Sequence, residues 1–251
     1  MQPDQRIGNT TLVDQSYWDR SYADMAPTVA PPGDAVRTWL ETHIPRPSGE
    51  QHVLEVGCFP GRYLGVLGQL GYTVHGIDLT PAVSRMKPGL DALGLRTGDF
   101  HEADFLSFEP GRRYDVVCSF GFIEHFQDWA AVLRKHAALV APGGRIIIET
   151  PNFRGAVQQL FHRWLDAENL KRHNLAAMVP EAWADVLRAE GFTVERAGYF
   201  GPFDFWHDSG GSGLGRRVGF GLLRLISPLL KRLPEGSATW SPYAGLIAHK
   251  R

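Results

Sequence analysis

The sequence predicts a single α/β domain spanning residues 1–251, built on a mostly parallel sheet of seven strands. Three observations predict it. Short apolar runs bounded by glycine or proline recur along the chain: HVLEV at 52–56, TVHGIDL at 73–79, YDVVCSF at 114–120 and RIIIET at 145–150. Helix-length segments separate them, as right-handed βαβ units require. The first run turns sharply at Gly57 into a helix that starts near Gly61, a strand–loop–helix junction suited to close backbone approach by a ligand.

The elements are read in chain order. Residues 1–33 read as polar and irregular, with aromatic entries at Tyr17, Trp18 and Tyr22 and a Pro-Pro-Gly break at 31–33. Asp34 is a good N-cap for a helix to His43, which Pro45 and Pro47 end. His52–Val56 is the first strand, 61–70 a helix closed by Gly71, and 73–79 the second strand. Pro81 then sits where proline favours the first turn of a helix. Residues 100–104 form a weaker third strand and 114–120 a strong fourth. A helix over 129–140 stops at Pro142-Gly143-Gly144, and 145–150 is the fifth strand. The rhythm then breaks. Residues 151–180 form an insertion of mixed helix, 181–190 a helix, and 192–199 the sixth strand. A second insertion covers 200–240, and 243–249 is the seventh strand. Both insertions leave the same rim and are expected to form a helical lid over the substrate.

Composition narrows the function. Twenty-six basic against 27 acidic residues leave a formal charge of −1, which argues against a dedicated nucleic-acid binder. Two cysteines, Cys58 and Cys118, make no disulfide framework and suit a reduced, cytoplasmic setting. MQPDQRIGNTTLVDQ has no apolar core after a basic region, so no signal peptide is expected, and no apolar run is long enough to span a membrane. The ten histidines contain no H-x-x-x-H and the cysteines no C-x-x-C, so no metal site is expected. A dinucleotide fingerprint is missing its later glycines, because Phe59 and Arg62 stand where they belong. G-x-S-x-G and Walker loops are absent as well.

Four segments in sequence make the glycine loop more informative. LEVGCFPG (54–61), GIDLT (76–80), HEADFLSF (101–108) and YDVVCSFGFIEHF with APGGRIIIETPN (114–126 and 141–152) together resemble the class I S-adenosylmethionine-dependent methyltransferases. The resemblance covers residues 50–152, and more loosely 180–200. It implies a Rossmann-like seven-stranded sheet with its last strand antiparallel, and S-adenosyl-L-methionine as cofactor. It further implies that Gly57, Cys58, Phe59 and Gly61 line the methionine end, with Glu55 behind them. Asp78 would hold the ribose diol beside Leu79, Asp104 with the Phe105 amide would meet the adenine, and Phe120 and Gly121 would lie near the methyl. Tyr17 or Tyr22 would close over the cofactor and Arg37 would reach its carboxylate. Asp99 is the alternative to Asp104, disfavoured because 100–103 makes the better strand before Asp104. The family's middle glycine is Phe59 here, which raises the question of whether a side chain there would suffer at positive φ.

For the chemistry, a sulfonium methyl is already activated, so alignment and desolvation are the protein's main tasks. His125, His173 and Tyr199 are the candidate catalytic residues, with His162 a further base. The Glu124-His125 pair also suits a structural role at a helix start. The expected acceptor is a small molecule with an O, N or C nucleophile. Transfer of a group other than methyl, releasing methylthioadenosine, and non-catalytic cofactor binding are the alternatives. Five aromatics within 199–206 are too many for a solvated loop. In 215–233, Arg217, Arg224 and Lys231 recur every seven residues opposite Val218, Leu222, Leu225 and Leu229. A cap packed on the domain or a dimer contact is favoured there over attachment to a membrane surface, with Pro228 breaking the helix. The chain is expected to be a monomer or homodimer without stable membrane insertion.

Overall fold

The computed structural model describes residues 11–207 and 214–251. The opening residues read for a signal peptide, up to Thr10, lie outside them, as does Asp208. The first helix is α1 (Gln15–Tyr22), whose Asp14 cap accepts from the Ser16 amide at 2.8 Å. This corrects the irregular reading of that stretch: α1 buries none of its residues and so shows no apolar stripe to read. Then come α2 (Ala35–His43), capped by Asp34, β1 (His52–Val56) and α3 (Arg62–Leu70). β2 (Thr73–Asp78) leads through a 3-10 turn (Pro81–Arg85) to α4 (Met86–Ala92).

β3 (Thr97–Glu102) starts three residues before the strand read from sequence and ends before Asp104. Its polar first half pairs with β2 from Val74↔Thr97 onward. Gly98 lies there because a Cβ would run into the His75 imidazole. β4 (Tyr114–Phe120), a 3-10 turn (Ile123–His125) and α5 (Trp129–Leu139) come next. β5 (Val140–Pro151) takes in Pro142-Gly143-Gly144, read from sequence as a stop; the register with β4 shifts there, between Tyr114↔Val140 and Val116↔Arg145. The remainder is α6 (Ala156–Leu165), α7 (Ala167–Lys171), α8 (Pro180–Ala189), β6 (Phe192–Phe200), α9 (Leu214–Leu230) and β7 (Tyr243–Lys250).

The sheet order is β3-β2-β1-β4-β5-β7-β6, with β7 antiparallel to both its neighbours and β1–β5 parallel. Strand alternation divides the core. Leu54, Val117, Ile146 and Ile148 face α5 and α8 on one side, where they meet Leu133, Trp183 and Leu187. Val53, Val116 and Ile147 face α2, α3 and α4 on the other, where they meet Leu40, Leu64 and Met86. Because both faces are covered, the central parallel strands are apolar along most of their length.

The two insertions share a small core of their own, Phe161 and Leu165 of α6 with Phe203 and Leu223. Here α9 differs from expectation twice. It continues through Pro228, whose missing amide removes one bond of the ladder near the helix end without stopping it. Its packed face is Phe220, Leu223, Ile226 and Leu230, while Val218, Leu222, Leu225 and Leu229 are exposed, Leu225 at 75%. Tertiary partners choose the face: a Cβ on Gly219 would strike Leu165 and Trp164, so glycine lets α9 close onto α6 on that side.

His75 on β2 makes stability depend on pH. It is buried, its Nδ1 accepts the Asp99 amide at 2.9 Å, and its Nε2 faces His52 Nδ1 at 3.0 Å. Protonating Nδ1 breaks the first bond, and burial holds the imidazole down at about 4. The folded value lies below the unfolded one. The stabilisation is therefore complete above the unfolded value near 6.5 and is lost as pH falls toward 4, on the order of 3 kcal/mol. Urea unfolding at pH 7 and pH 4.5 should show a smaller acid loss in His75→Gln than in the wild type; equal losses would remove His75 from the account.

Candidate functional site

The loop after β1 is held from β2. The Gly57 and Cys58 amides both donate to the Ile77 carbonyl, at 2.9 and 3.2 Å. Asp78, the last residue of β2, accepts the Phe59 amide on Oδ2 at 3.0 Å and the Thr80 amide on Oδ1 at 3.1 Å. Each carboxylate oxygen keeps capacity for a second donor, as two vicinal hydroxyls would need. Burial raises the Asp78 carboxyl, and the backbone amides pull it back down. Gly57 has φ +70° and Gly61 +84°. A Cβ on Gly57 would stand 2.5 Å from the Phe122 ring, and one on Gly61 would stand 2.6 Å from Met86 Cε. The Phe122 and Met86 side chains fill the Cβ directions, so glycine at both positions lets the loop pack against them.

Phe59 incurs no penalty for replacing a glycine. Among the described residues positive φ occurs only at glycines, and the Phe59 ring is buried against Tyr22 (centroids 5.1 Å) beneath the Arg85 guanidinium (5.0 Å). Tyr22 thereby lies over the loop. Its phenol is pushed far up by burial first and then by the Asp78 and Glu55 charges. Cys58 is buried and its thiol is likewise raised by burial. Leu79 is half exposed at the rim. Asp104 comes after the end of β3, is exposed, and accepts the Leu106 amide at 2.9 Å. Asp99 lies inside β3 with its amide given to His75. The Phe105 ring is buried on His136 and Phe122, so that residue offers the crevice backbone and no ring face.

Three expectations are corrected. Arg37 gives its guanidinium to Glu41 (2.9 Å) and to the Ala30 carbonyl (2.7 Å), so its donors are already engaged within the protein. The Tyr199 hydroxyl donates to the Met178 carbonyl (3.4 Å), and burial raises its phenol, so it is a poor base and is not joined to the histidines. Tyr199 instead lines a separate cleft of about 600 Å³ with Trp39, His43, Arg196 and Phe200, which shares no residue with the glycine loop. Glu124-His125 begins no α-helix; it forms a 3-10 turn in which the Glu124 carboxyl is fully buried.

Past the tip of β4 the structure gathers rings from distant segments. Trp18 of α1 meets His125 edge-on (5.1 Å), His125 meets His173 (4.7 Å), and His173 meets Phe153 (4.6 Å), which in turn packs on His162 (3.8 Å). Phe120 packs on Tyr63 at 5.0 Å, and Gly121 (φ +64°) is the next residue. Trp18 escaped the sequence reading of the site because nothing local marks it; only the tertiary fold brings it to the β4 tip. Burial lowers His125 to about 4 and raises Glu124 to about 8. Glu55 and Glu149, both buried on the α3 face of the sheet, are raised well above the carboxylate range by burial and then by neighbouring acids.

A family model described as a methyltransferase domain matches residues 15–197. The ubiquinone biosynthesis O-methyltransferase of Stutzerimonas stutzeri (strain A1501) is 33% identical over 117 residues, 45% of this chain and 49% of that protein. The same-named protein of Leptothrix cholodnii (strain ATCC 51168 / LMG 8142 / SP-6) is 34% identical over 118 residues, with the same shares covered. The chain thus spans about half the length of these curated relatives. A solved S-adenosylmethionine-dependent methyltransferase from Archaeoglobus fulgidus superposes with TM-score 0.55 over 86% of this chain and 93% of that one, at 20% identity, a likeness of fold.

The residues present fit S-adenosylmethionine: a carboxylate with spare acceptor capacity at Asp78 beside a tight loop turned by Gly57 and Gly61 at positive φ. By calorimetric titration with S-adenosylhomocysteine, Asp78→Ala should bind about a hundredfold more weakly, as expected for losing hydrogen bonds to a charged acceptor. Undiminished binding by a folded variant would remove Asp78 from the site. Phe59→Ala should lower stability by about 3 kcal/mol in urea unfolding, because a buried ring is deleted; a loss under about 1 kcal/mol would mean the ring is not core.

Proposed function

The chain belongs to the class I S-adenosylmethionine-dependent methyltransferases, and from that premise we propose that it transfers a methyl group to a hydroxyl oxygen of a small aromatic acceptor. The observation that carries this reading is the row Trp18–His125–His173–Phe153 beyond the β4 tip, on the same rim as the glycine loop. Trp18 keeps part of its ring exposed beside the buried His125, His173 and Phe153, a surface an aromatic ring can pack on, worth about 1 kcal/mol. The names of the curated relatives, oxygen methyltransferases, support oxygen as the nucleophile.

S-adenosylmethionine, when bound, supplies a methyl on a sulfonium that needs no further activation. The chain's own residues then have three tasks. Gly57, Gly61 and Asp78 would orient the cofactor through backbone and carboxylate. Tyr22 and the Phe59 ring would shield the loop from water. Trp18, backed by the buried Phe153 row, would hold the acceptor ring so that its oxygen meets the methyl in line, which is where most of the acceleration in such a displacement arises. His125 is neutral at pH 7 and donates Nδ1–H to the Arg172 carbonyl at 2.9 Å, which fixes its ring beside Trp18.

The test is incubation with S-adenosylmethionine and a panel of phenols and catechols, with both cofactor product and methylated acceptor identified by mass spectrometry. S-adenosylhomocysteine in step with an O-methylated product is expected. Trp18→Ala should raise the acceptor KM about tenfold with little change in melting temperature. Methylthioadenosine as product, or methyl found on nitrogen or carbon, would overturn the reading, as would cofactor binding without turnover of any acceptor.

A further inference from the structure

Between the β4 tip and the α7 end, three potential metal ligands meet: Glu124, His125 and His173. One ligand atom from each lies within 4.8 Å of the others, and all three side chains are buried, with exposures of 0%, 8% and 9%. His125 Nδ1 contacts the Arg172 carbonyl at 2.9 Å, and His173 Nδ1 contacts the Asn169 carbonyl at 2.7 Å. A carbonyl can only accept, so both Nδ1 atoms carry the proton and both Nε2 atoms are bare lone pairs. Imidazoles that ligate metals are held in this way, the outer N–H tied to a backbone oxygen.

Glu124 is the second, independent observation. Both carboxyl oxygens are buried without a hydrogen bond, and His125 Nε2 stands 3.9 Å from one of them. An ionised carboxylate buried without a partner costs several kcal/mol, and a neutral one would still leave its O–H unsatisfied. One cation can satisfy the orphaned carboxyl and both imidazoles together, whereas a protonated carboxyl could donate its single O–H to only one of the two rings.

The cluster is also braced. The Asn174 amide donates to the Glu124 carbonyl at 2.7 Å, and the Asn174 side chain donates to the Phe126 and Gln127 carbonyls. The Leu12 amide donates to the His125 carbonyl at 2.8 Å. These bonds lock the turn to the His173 segment without using any ligand atom. Ligand atoms around one cation at about 2.1 Å stand roughly 3–4 Å apart, so shifts of less than about 1 Å complete the site.

We propose that Glu124, His125 and His173 bind a divalent transition-metal cation in a two-histidine, one-carboxylate site. Imidazole donors favour zinc, cobalt, nickel or iron over magnesium and calcium, which take oxygen ligands. Three protein ligands leave coordination positions open. The carboxylate borders Gly121, where a Cβ would stand 3.6 Å from Glu124 Oε1, so the site adjoins the strand end assigned above to the methyl. The claim does not depend on which acceptor is methylated, nor on methyl transfer at all.

The test uses the untagged 251-residue chain, stripped with a chelator and dialysed, then titrated with zinc by calorimetry and with cobalt by visible absorption. One equivalent of metal is expected, with the intense visible bands of low-coordinate cobalt and a raised melting temperature. Glu124→Gln and His173→Gln should each weaken binding about a hundredfold or more. Failure of the wild type to bind one equivalent of either metal would overturn the proposal, and that result needs no variant to fold. Stoichiometric binding that survives in both folded variants would overturn it equally. Methyl transfer that persists in chelator-stripped enzyme leaves this titration unaffected, so the two readings stand or fall separately.

Discussion

The fold depends on a single junction, the point where β1 has β2 on one side and β4 on the other. Connections leaving a parallel sheet at such a point run to opposite faces, and a crevice opens between them at the strand ends. In this chain the crevice is braced by the carboxylate of Asp78, which receives the Phe59 amide from the neighbouring loop and the Thr80 amide from its own. The Ile77 carbonyl adds two further bonds to the Gly57 and Cys58 amides. The loop thus borrows its shape from β2, and this is why Phe59 can replace a glycine. The backbone there is set by hydrogen bonds without positive φ, and the ring turns into the core between Tyr22 and Arg85.

The same architecture decides which elements are legible from sequence. β1, β2, β4 and β5 are covered on both faces, so each reads as an apolar run, and glycine or proline marks where most of them end. β3 sits at the sheet edge with a polar opening, and its start is set by pairing to β2 and by the space His75 occupies over Gly98. No local pattern encodes that. α1 is a polar helix held by its Asp14 cap and by ring contacts to residues far along the chain. α9 is apolar on nearly all sides, so the seven-residue spacing of its basic residues identified a stripe without identifying the buried face. Phe161 and Leu165 decide that, and they lie in a different insertion.

The candidate site divides in the same way. The glycines and Asp78 belong to one strand–loop–strand unit and are visible as spacing. The ring row and the Glu124 cluster are assembled from α1, the β4 tip and the segment around α7, so their members can be named from the sequence while their meeting cannot. The Glu124-His125 doublet shows the limit best. As letters it suits a helix start, whereas the fold makes it a 3-10 turn with a buried, unpartnered carboxyl.

Electrostatics joins these parts. Glu55, Glu149, Glu124 and Asp78 occupy one end of the sheet, each with its carboxyl raised first by burial, and Glu55 and Glu149 further by neighbouring acids. Such a region is poorly hydrated and favours whatever brings positive charge in without bringing water. On the proposed reading the first such guest is a sulfonium, whose single charge is lost when the methyl leaves. Carboxyls raised in this way hold their protons more tightly than ordinary ones, so their field distinguishes substrate cofactor from spent cofactor only weakly. The same field would oppose transfer if it stabilised only the charged ground state. On that reading, alignment by the glycine loop and the ring row must supply more than that field withholds.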